Sequence, residues 1–414
     1  MIKKIINCLL CALVLASLTS CSLKSSKTTA NTTDLRPLKV EIEGGCGAGG
    51  EYGYYELRAP LSLPNGFNIF YIDYATKTQL VLCSSSSCRH STESCTGYFD
   101  GYGKDIYVIG EKIVLLVYTY TADGQMLLNV VTADLNGENR KTIYTFNANE
   151  TINSSCYTDG ESIYFIANRA FKNSDAIDYQ CVLVKINIYT DVATDILNLS
   201  EKYGTNSVNL FGVCKDEFVL SVITDKTQLK SVTTDGNDGK YVNDTLNYSD
   251  SDKHFDGEYE YMISYTDKKF VRKSLISGET ITLGMPGDVS FTAESSGISQ
   301  IVDGIPVCSY REYKVTDNSG TRTERTFAAD FEENKVYELP LQCQRNGLTK
   351  PVPVVAETEN QFLVINGENR VLEYYPPNDK GLISDYSTIL NYALIDKSDF
   401  WQGVPNYENI DYIG

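Results

Sequence analysis

Asp159-Gly160-Glu161-Ser162 reads as a turn, and Ile163-Tyr164-Phe165-Ile166 leaves it as an unbroken apolar strand. After a loop comes a second strand, Val182-Leu183-Val184-Lys185-Ile186-Asn187-Ile188. A Thr190-Asp191 turn then leads to a third short segment ending Asp195-Ile196-Leu197. Turn, inner strand, hairpin and outer strand is the plan of one β-propeller blade. A single blade cannot bury both of its faces, so neighbours must stack on it and the ring must close to protect its edges.

The plan recurs along the chain. Apolar strands start at Asp105-Ile106-Tyr107, Ser162-Ile163-Tyr164, Glu217-Phe218-Val219, Glu260-Tyr261-Met262, Gly304-Ile305-Pro306 and Gln361-Phe362-Leu363, with an earlier one at Tyr52-Gly53-Tyr54-Tyr55. Successive starts lie roughly 40 to 60 residues apart, the length of a four-stranded blade. Closing hairpins recur too, at Val131 to Glu138, Lys273 to Glu279 and Ala329 to Asn334. The expected fold is all-β, a single propeller of seven blades, with six or eight as the neighbouring counts. A tandem of β-sandwiches is the competing architecture. The polar excursion from Ser231 to Glu258 reads as a long hairpin or loop at a blade rim, and Gly381 to Leu394 as room for one short helical turn.

Composition agrees with strands and turns: 30 Tyr against one Trp and four Met, with 30 Gly and 11 Pro in 414 residues. Hydrophobic residues make up 42% and charged residues 22%, which is ordinary for a globular chain and argues against wholesale disorder. The formal net charge of −18 repels phosphate backbones, and no basic cluster offsets it, so nucleic acid is not an expected partner.

The amino terminus reads as an address. Met1-Ile2-Lys3-Lys4 is basic, and Ile5 to Leu18 is an apolar run of about 14 residues, short of the ~20 that span a bilayer. Leu18-Thr19-Ser20-Cys21 follows, which resembles a lipobox with Cys21 as the acylated residue. Cleavage would remove Cys8 and Cys11. Residues 1–20 are thus expected as a lipoprotein signal peptide, 21–37 as the acylated cysteine and a flexible linker, and 38–414 as the propeller. The expected location is the outer face of the cell membrane, held by lipid.

Asn68-Ile69-Phe70-Tyr71-Ile72-Asp73-Tyr74 leads into Cys83, then Cys88-Arg89-His90, then Cys95-Thr96-Gly97-Tyr98-Phe99. With the tail Tyr392 to Trp401, this resembles a family of Gram-positive bacterial lipoproteins of uncharacterised function, whose propellers are predicted to be of the low-density-lipoprotein-receptor (YWTD-like) type. The resemblance implies a propeller and a lipid anchor, and carries no chemistry.

Cys83, Cys88, His90 and Cys95 are the densest chemistry in the chain, with Cys46 upstream. Three thiolates and an imidazole could bind zinc as a structural Cys3His set, although the x4/x1/x4 spacing is not that of a common finger. Disulfides pairing Cys83 or Cys88 with Cys95 or Cys46 suit an exported protein equally, and buried thiols are the third reading. With no open coordination position implied, the cluster reads as a staple, not a catalytic centre.

Other motifs fall short. Gly45-Cys46-Gly47-Ala48-Gly49-Gly50 matches G-x-G-x-x-G, but strand-like Glu51 to Tyr55 follows where a dinucleotide site needs a helix. Asp235, Asn237 and Asp238 resemble a calcium loop, yet Gly239 falls one position early and the twelfth position lacks Glu. His90 and His254 are the two histidines, too few and badly placed for a Ser/His/Asp triad. Tyr54, Tyr55, Tyr118, Tyr120, Tyr310, Tyr313, Tyr374 and Tyr375 are mostly blade packing, a few of them candidates for a binding rim. The expectation is therefore a binding or scaffolding module for an envelope protein or glycan, with no catalytic residue assigned, no cofactor beyond structural zinc, and no enzyme activity. The alternative is an envelope enzyme using paired carboxylates in the axial funnel.

Overall fold

Seven antiparallel sheets, each built on four strands, follow one another along the chain and form a β-propeller. The computed structural model describes residues 35–38 and 46–413, apart from 61, 64, 86, 154, 174–175, 247–250, 288, 290, 293, 317–318 and 375–383. The stretch expected as signal peptide, Cys21 and most of the expected linker lie outside the described residues, as do Cys8, Cys11 and Tyr375. The tandem-sandwich alternative is excluded.

Blade 1 comprises Gly47–Gly49, Gly53–Arg58, Gly66–Asp73 and Thr78–Val81. Blade 2 comprises Tyr102–Ile109, Lys112–Tyr120, Met126–Asp134 and Lys141–Thr145. The stretch from Asp159 to Leu197 is the heart of blade 3, which comprises Tyr157–Thr158, Ser162–Asn173, Ala176–Asn187 and Ala193–Asn198. Its central strands are longer than expected, paired from Ser162↔Asn187 to Asn173↔Ala176, so the expected loop is the far end of a hairpin. Blades 4 to 7 begin at Val208, Ser251, Ser296 and Val354. A separate hairpin, Gln342–Arg345 with Leu348–Pro351, lies between blades 6 and 7 in sequence.

Burial explains what the sequence shows and hides. The second strand of a blade is covered on both faces, as Ile163 to Ala167 are, so it appears as a continuous apolar run. Six of the seven strand starts found above are second strands; only Asp105-Ile106-Tyr107 lies in a first strand. First strands such as Ser251–Asp256 mix polar and apolar residues. Ser231 to Glu258 accordingly contains the outer strand Asp238–Leu246 of blade 4 and the first strand of blade 5, not one rim loop. Residues 384–394 are strand and not helix; they belong to Ser384–Asp396.

The third strand of every blade ends in a short polar residue: Asp73, Asp134, Asn187, Thr233, Ser274, Asp330 and Asp396. Several of these side chains cap the turn to the outer strand. Asp73 Oδ1 accepts from Thr76 N at 2.7 Å, Asn187 Oδ1 from Thr190 N at 2.9 Å, and Asp330 Oδ1 from Glu332 N at 2.9 Å.

A buried apolar cluster fills each interface between consecutive blades, including that between blades 7 and 1, where Tyr54 and Ile72 meet Leu363, Ile365 and Tyr392. The ring is closed by the carboxyl terminus: Asp411–Tyr412 pairs in parallel with Thr78 and Gln79 as a further strand of blade 1. Residues 35–37, within the stretch expected as linker, are described. Leu35 is buried, and Arg36–Pro37 pairs with Tyr157–Thr158 as the innermost strand of blade 3.

Candidate metal centre and axial pocket

The cysteine cluster forms where the chain loops between the outer strand of blade 1 and Tyr98–Asp100. Cys95 N donates to Thr92 O at 2.9 Å, and Thr96 Oγ1 to Leu82 O at 2.8 Å, which fold the loop onto the blade. His90 takes a left-handed backbone (φ 52°), turning its ring back over the sulfurs. One ligand atom from each of Cys83, Cys88, His90 and Cys95 lies within 4.8 Å of all the others. His90 Nδ1 is 3.3 Å from Cys95 Sγ. Zinc bonded at about 2.0–2.3 Å spaces tetrahedral ligands by roughly 3.5–3.8 Å, so small side-chain adjustments suffice for these four groups to hold zinc.

The electrostatics are those of a thiol cluster. Burial pushes the Cys95 thiol up to about 12, against the Gly97 N–H, with Cys88 and Cys83 adding to the rise. Burial also acts upward on Cys83, but hydrogen bonds from the Ser85 backbone, Cys95, Cys88 and Thr96 outweigh it and hold that thiol below its ordinary value. Cys46 is not one of the four converging residues. It leads into the innermost strand of blade 1, its thiol 3.4 Å from Lys104 O. The glycines after it allow close packing near the axis, since a Cβ on Gly47 would lie 2.1 Å from the Tyr54 hydroxyl. No disulfide links Cys83, Cys88 and Cys95 to one another.

A second site lies along the axis. First strands of blades 4, 5 and 6, with Pro37 and Tyr157 of blade 3, line a cavity of about 750 Å³. Its wall carries Ser155, Ser295, Ser296, Ser299 and Ser309, with His254, Asp256, Glu294 and Arg311 among them. Phe211 and Phe255 meet edge to face at 6.0 Å. Asp252 orders this wall: Oδ2 accepts from Ile298 N at 2.7 Å across the blade 5–6 interface, and Oδ1 is 3.4 Å from His254 Nε2. Arg311 Nε is 3.2 Å from Glu324 Oε1. Asp256 lines the cavity with its side chain crowded by protein, and this desolvation raises its carboxyl above the ordinary aspartate range.

His254 was met in the sequence as an isolated residue, and the structure brings it to the axis. The rest of the lining comes from four blades, so no local spacing marks it. Tyr54, Tyr55 and Tyr310 are packing residues, buried between blades, while Tyr120 is 57% exposed beside Tyr102. Asp238, at the start of the outer strand of blade 4, pairs at 2.7 Å with Lys202 of the short helix Leu199–Tyr203.

No protein-family model matches the sequence, and no curated protein matches it. Among solved structures, the chain is similar to an oligogalacturonate lyase from Vibrio parahaemolyticus, at 12% identity over 76% of this chain and 82% of that one, TM-score 0.43. It is also similar to a puromycin hydrolase mutant (7% identity, 91% of this chain, TM-score 0.45) and to the Pyrococcus horikoshii acylaminoacyl peptidase (11%, 89%, 0.44). The chain spans 53% of the hydrolase and 59% of the peptidase. The expectation that the chain is not an enzyme is corrected: the three similar structures just named are those of enzymes. At such identities the likeness is one of fold, and it assigns no reaction.

Proposed function

We propose that the chain is a lipid-anchored extracytoplasmic propeller, tethered through Cys21 as in the lipoproteins it resembles, which takes a polyhydroxylated, glycan-class ligand in its axial cavity. The observation that carries this reading is the hydroxyl-rich wall: five serines beside His254 and Arg311, with the Phe211 ring among them. Hydroxyls donate and accept as sugar hydroxyls require, and an aromatic ring covers the apolar face of a sugar. Oligosaccharide-array binding by the full chain in detergent, followed by calorimetry, tests it. His254→Ala and Phe211→Ala should each weaken binding by about tenfold, on the order of 1.4 kcal/mol. A silent array, or binding indifferent to both changes, rejects the glycan reading.

Asp256 favours a second reading, in which the bound glycan is cleaved. A carboxyl whose pKa is raised by its surroundings can serve as the donor to a leaving oxygen, and Glu294 supplies a second carboxylate in the same cavity. Release of reducing ends that disappears in Asp256→Asn would establish it.

Two further parts of the proposal have their own measurements. Lipid on Cys21 predicts a diacylated amino-terminal peptide by mass spectrometry, and release of the Cys21→Ala chain from the membrane. The Cys3His cluster is proposed to hold one zinc as a structural staple, four protein ligands closing the coordination sphere. Metal analysis should find one zinc per chain, lost in Cys88→Ser.

A further inference from the structure

A basic side chain crosses every seam of the ring. Lys141 meets Asp191 between blades 2 and 3, and Lys202 meets Asp238 between blades 3 and 4 at 2.7 Å. Lys253 reaches Asp244 between blades 4 and 5 at 2.7 Å, and Arg272 reaches Glu332 between blades 5 and 6 at 2.6 Å. Lys397 bonds Asp303 between blades 6 and 7 at 2.9 Å, and Lys77 pairs with Glu408 where blade 7 meets blade 1.

The seam between blades 1 and 2 differs. Its cation is Arg140, from the turn before the outer strand of blade 2. The guanidinium lies over the Phe99 ring at 3.8 Å and donates to Cys95 O at 2.9 Å, Tyr98 O at 2.5 Å and Thr96 O. It has carbonyl acceptors where the other six seams have a carboxylate. Two of those carbonyls belong to the cysteine loop, on Cys95 and its neighbour Thr96, and the third to Tyr98 at the start of the next strand. The approach is tight, since a Cβ on Gly137 would lie 2.3 Å from Thr96 O.

We infer that the metal-loaded Cys3His centre is the anionic partner of Arg140, so that zinc occupancy completes the clasp between blades 1 and 2. This rests on the zinc reading above. On binding, the thiols give up their protons, and three thiolates, a neutral imidazole and a divalent cation leave one net negative charge. That charge faces a guanidinium already held by the carbonyls of the same loop. Arg140 is a positioning residue outside the coordination sphere, the kind of partner whose loss lowers metal affinity.

The test is a chelator-competition titration of the full chain with Zn2+, on the wild type, Arg140→Gln, Arg140→Lys and Lys141→Gln, with circular dichroism to verify folding. Arg140→Gln should weaken zinc binding about tenfold, and Arg140→Lys should restore most of it. Lys141→Gln, which breaks the adjacent seam, should leave it unchanged. Amide exchange over residues 126–145 should quicken on chelation in the wild type and be already fast in Arg140→Gln. Unchanged affinity in Arg140→Gln, or an equal loss in Lys141→Gln, overturns the clasp while leaving the zinc staple standing. A wild-type chain that binds no zinc removes the staple, and the clasp with it.

Discussion

The first blade is joined to its two neighbours by different means. Towards blade 7, Tyr54 packs on Tyr392 at 5.7 Å, and the strand Asp411–Tyr412 is added to the outer edge. The buried charge there is settled within one strand: Arg58 pairs with Glu56 at 2.9 Å and lies over Phe70, with Tyr412 beyond. Towards blade 2, Phe67 stacks on Phe99 at 5.4 Å, and Arg140 reaches across to a loop whose own charge depends on thiol chemistry. One seam has its buried charges paired as folded. In the other, on the clasp reading, Arg140 gains its anionic partner when a metal arrives.

The largest effect is expected at Arg58. Arg58→Ala leaves the Glu56 carboxylate, 6% exposed as a side chain, with Gln79 at 2.9 Å and no counter-charge. A loss of about 3–5 kcal/mol is expected in denaturant melts, whether or not zinc is present. Chelation should act on the other seam, lowering stability by about 2.7 kcal/mol from a state with zinc at a hundredfold its Kd. The same melts in Cys88→Ser should show no response to chelator.

Gly137→Ala sharpens the contrast further. It places a methyl against Thr96 O at a residue with φ of +81°, and should destabilise by about 1–3 kcal/mol, loosening blade 2 against the cysteine loop. The smallest effect is an acid one. Asp134, which shapes the Arg140 hairpin, is held below the ordinary aspartate range by hydrogen bonds from Lys112 and Asn139. A depressed carboxyl contributes its stability in full above its unfolded value near 3.9 and loses it as pH falls through the lower folded value. Hairpin amides followed by NMR should therefore hold steady down to about pH 4 and shift below it; Asp134→Asn should remove that acid step.

How much of this was written locally follows from the same geometry. The blade repeat was legible because second strands such as Phe218 to Val222 are buried on both faces, and because the turns after Asp73, Asn187 and Asp330 repeat. The phase of the repeat was not, since strands like Ser251–Asp256 face the cavity and carry its polar residues. Cys83, Cys88, His90 and Cys95 could be read together because one loop holds them all. Arg140 could not, being 45 residues from Cys95 and adjacent only once two blades stand side by side. Cys46 shared a residue type with the cluster but belongs to a different strand. The axial lining drew on four blades, so only the closed ring reveals it.

The short pairing of Arg36–Pro37 with Tyr157–Thr158 has a mechanical consequence. Tension arriving from the chain ahead of Leu35 would be delivered to the hub of the wheel, at the third blade, and not to the overlap of Asp411–Tyr412 on the first. On the lipid-anchor proposal, a tug from the membrane would peel two residue pairs near the axle before it strained the latch that keeps the circle shut.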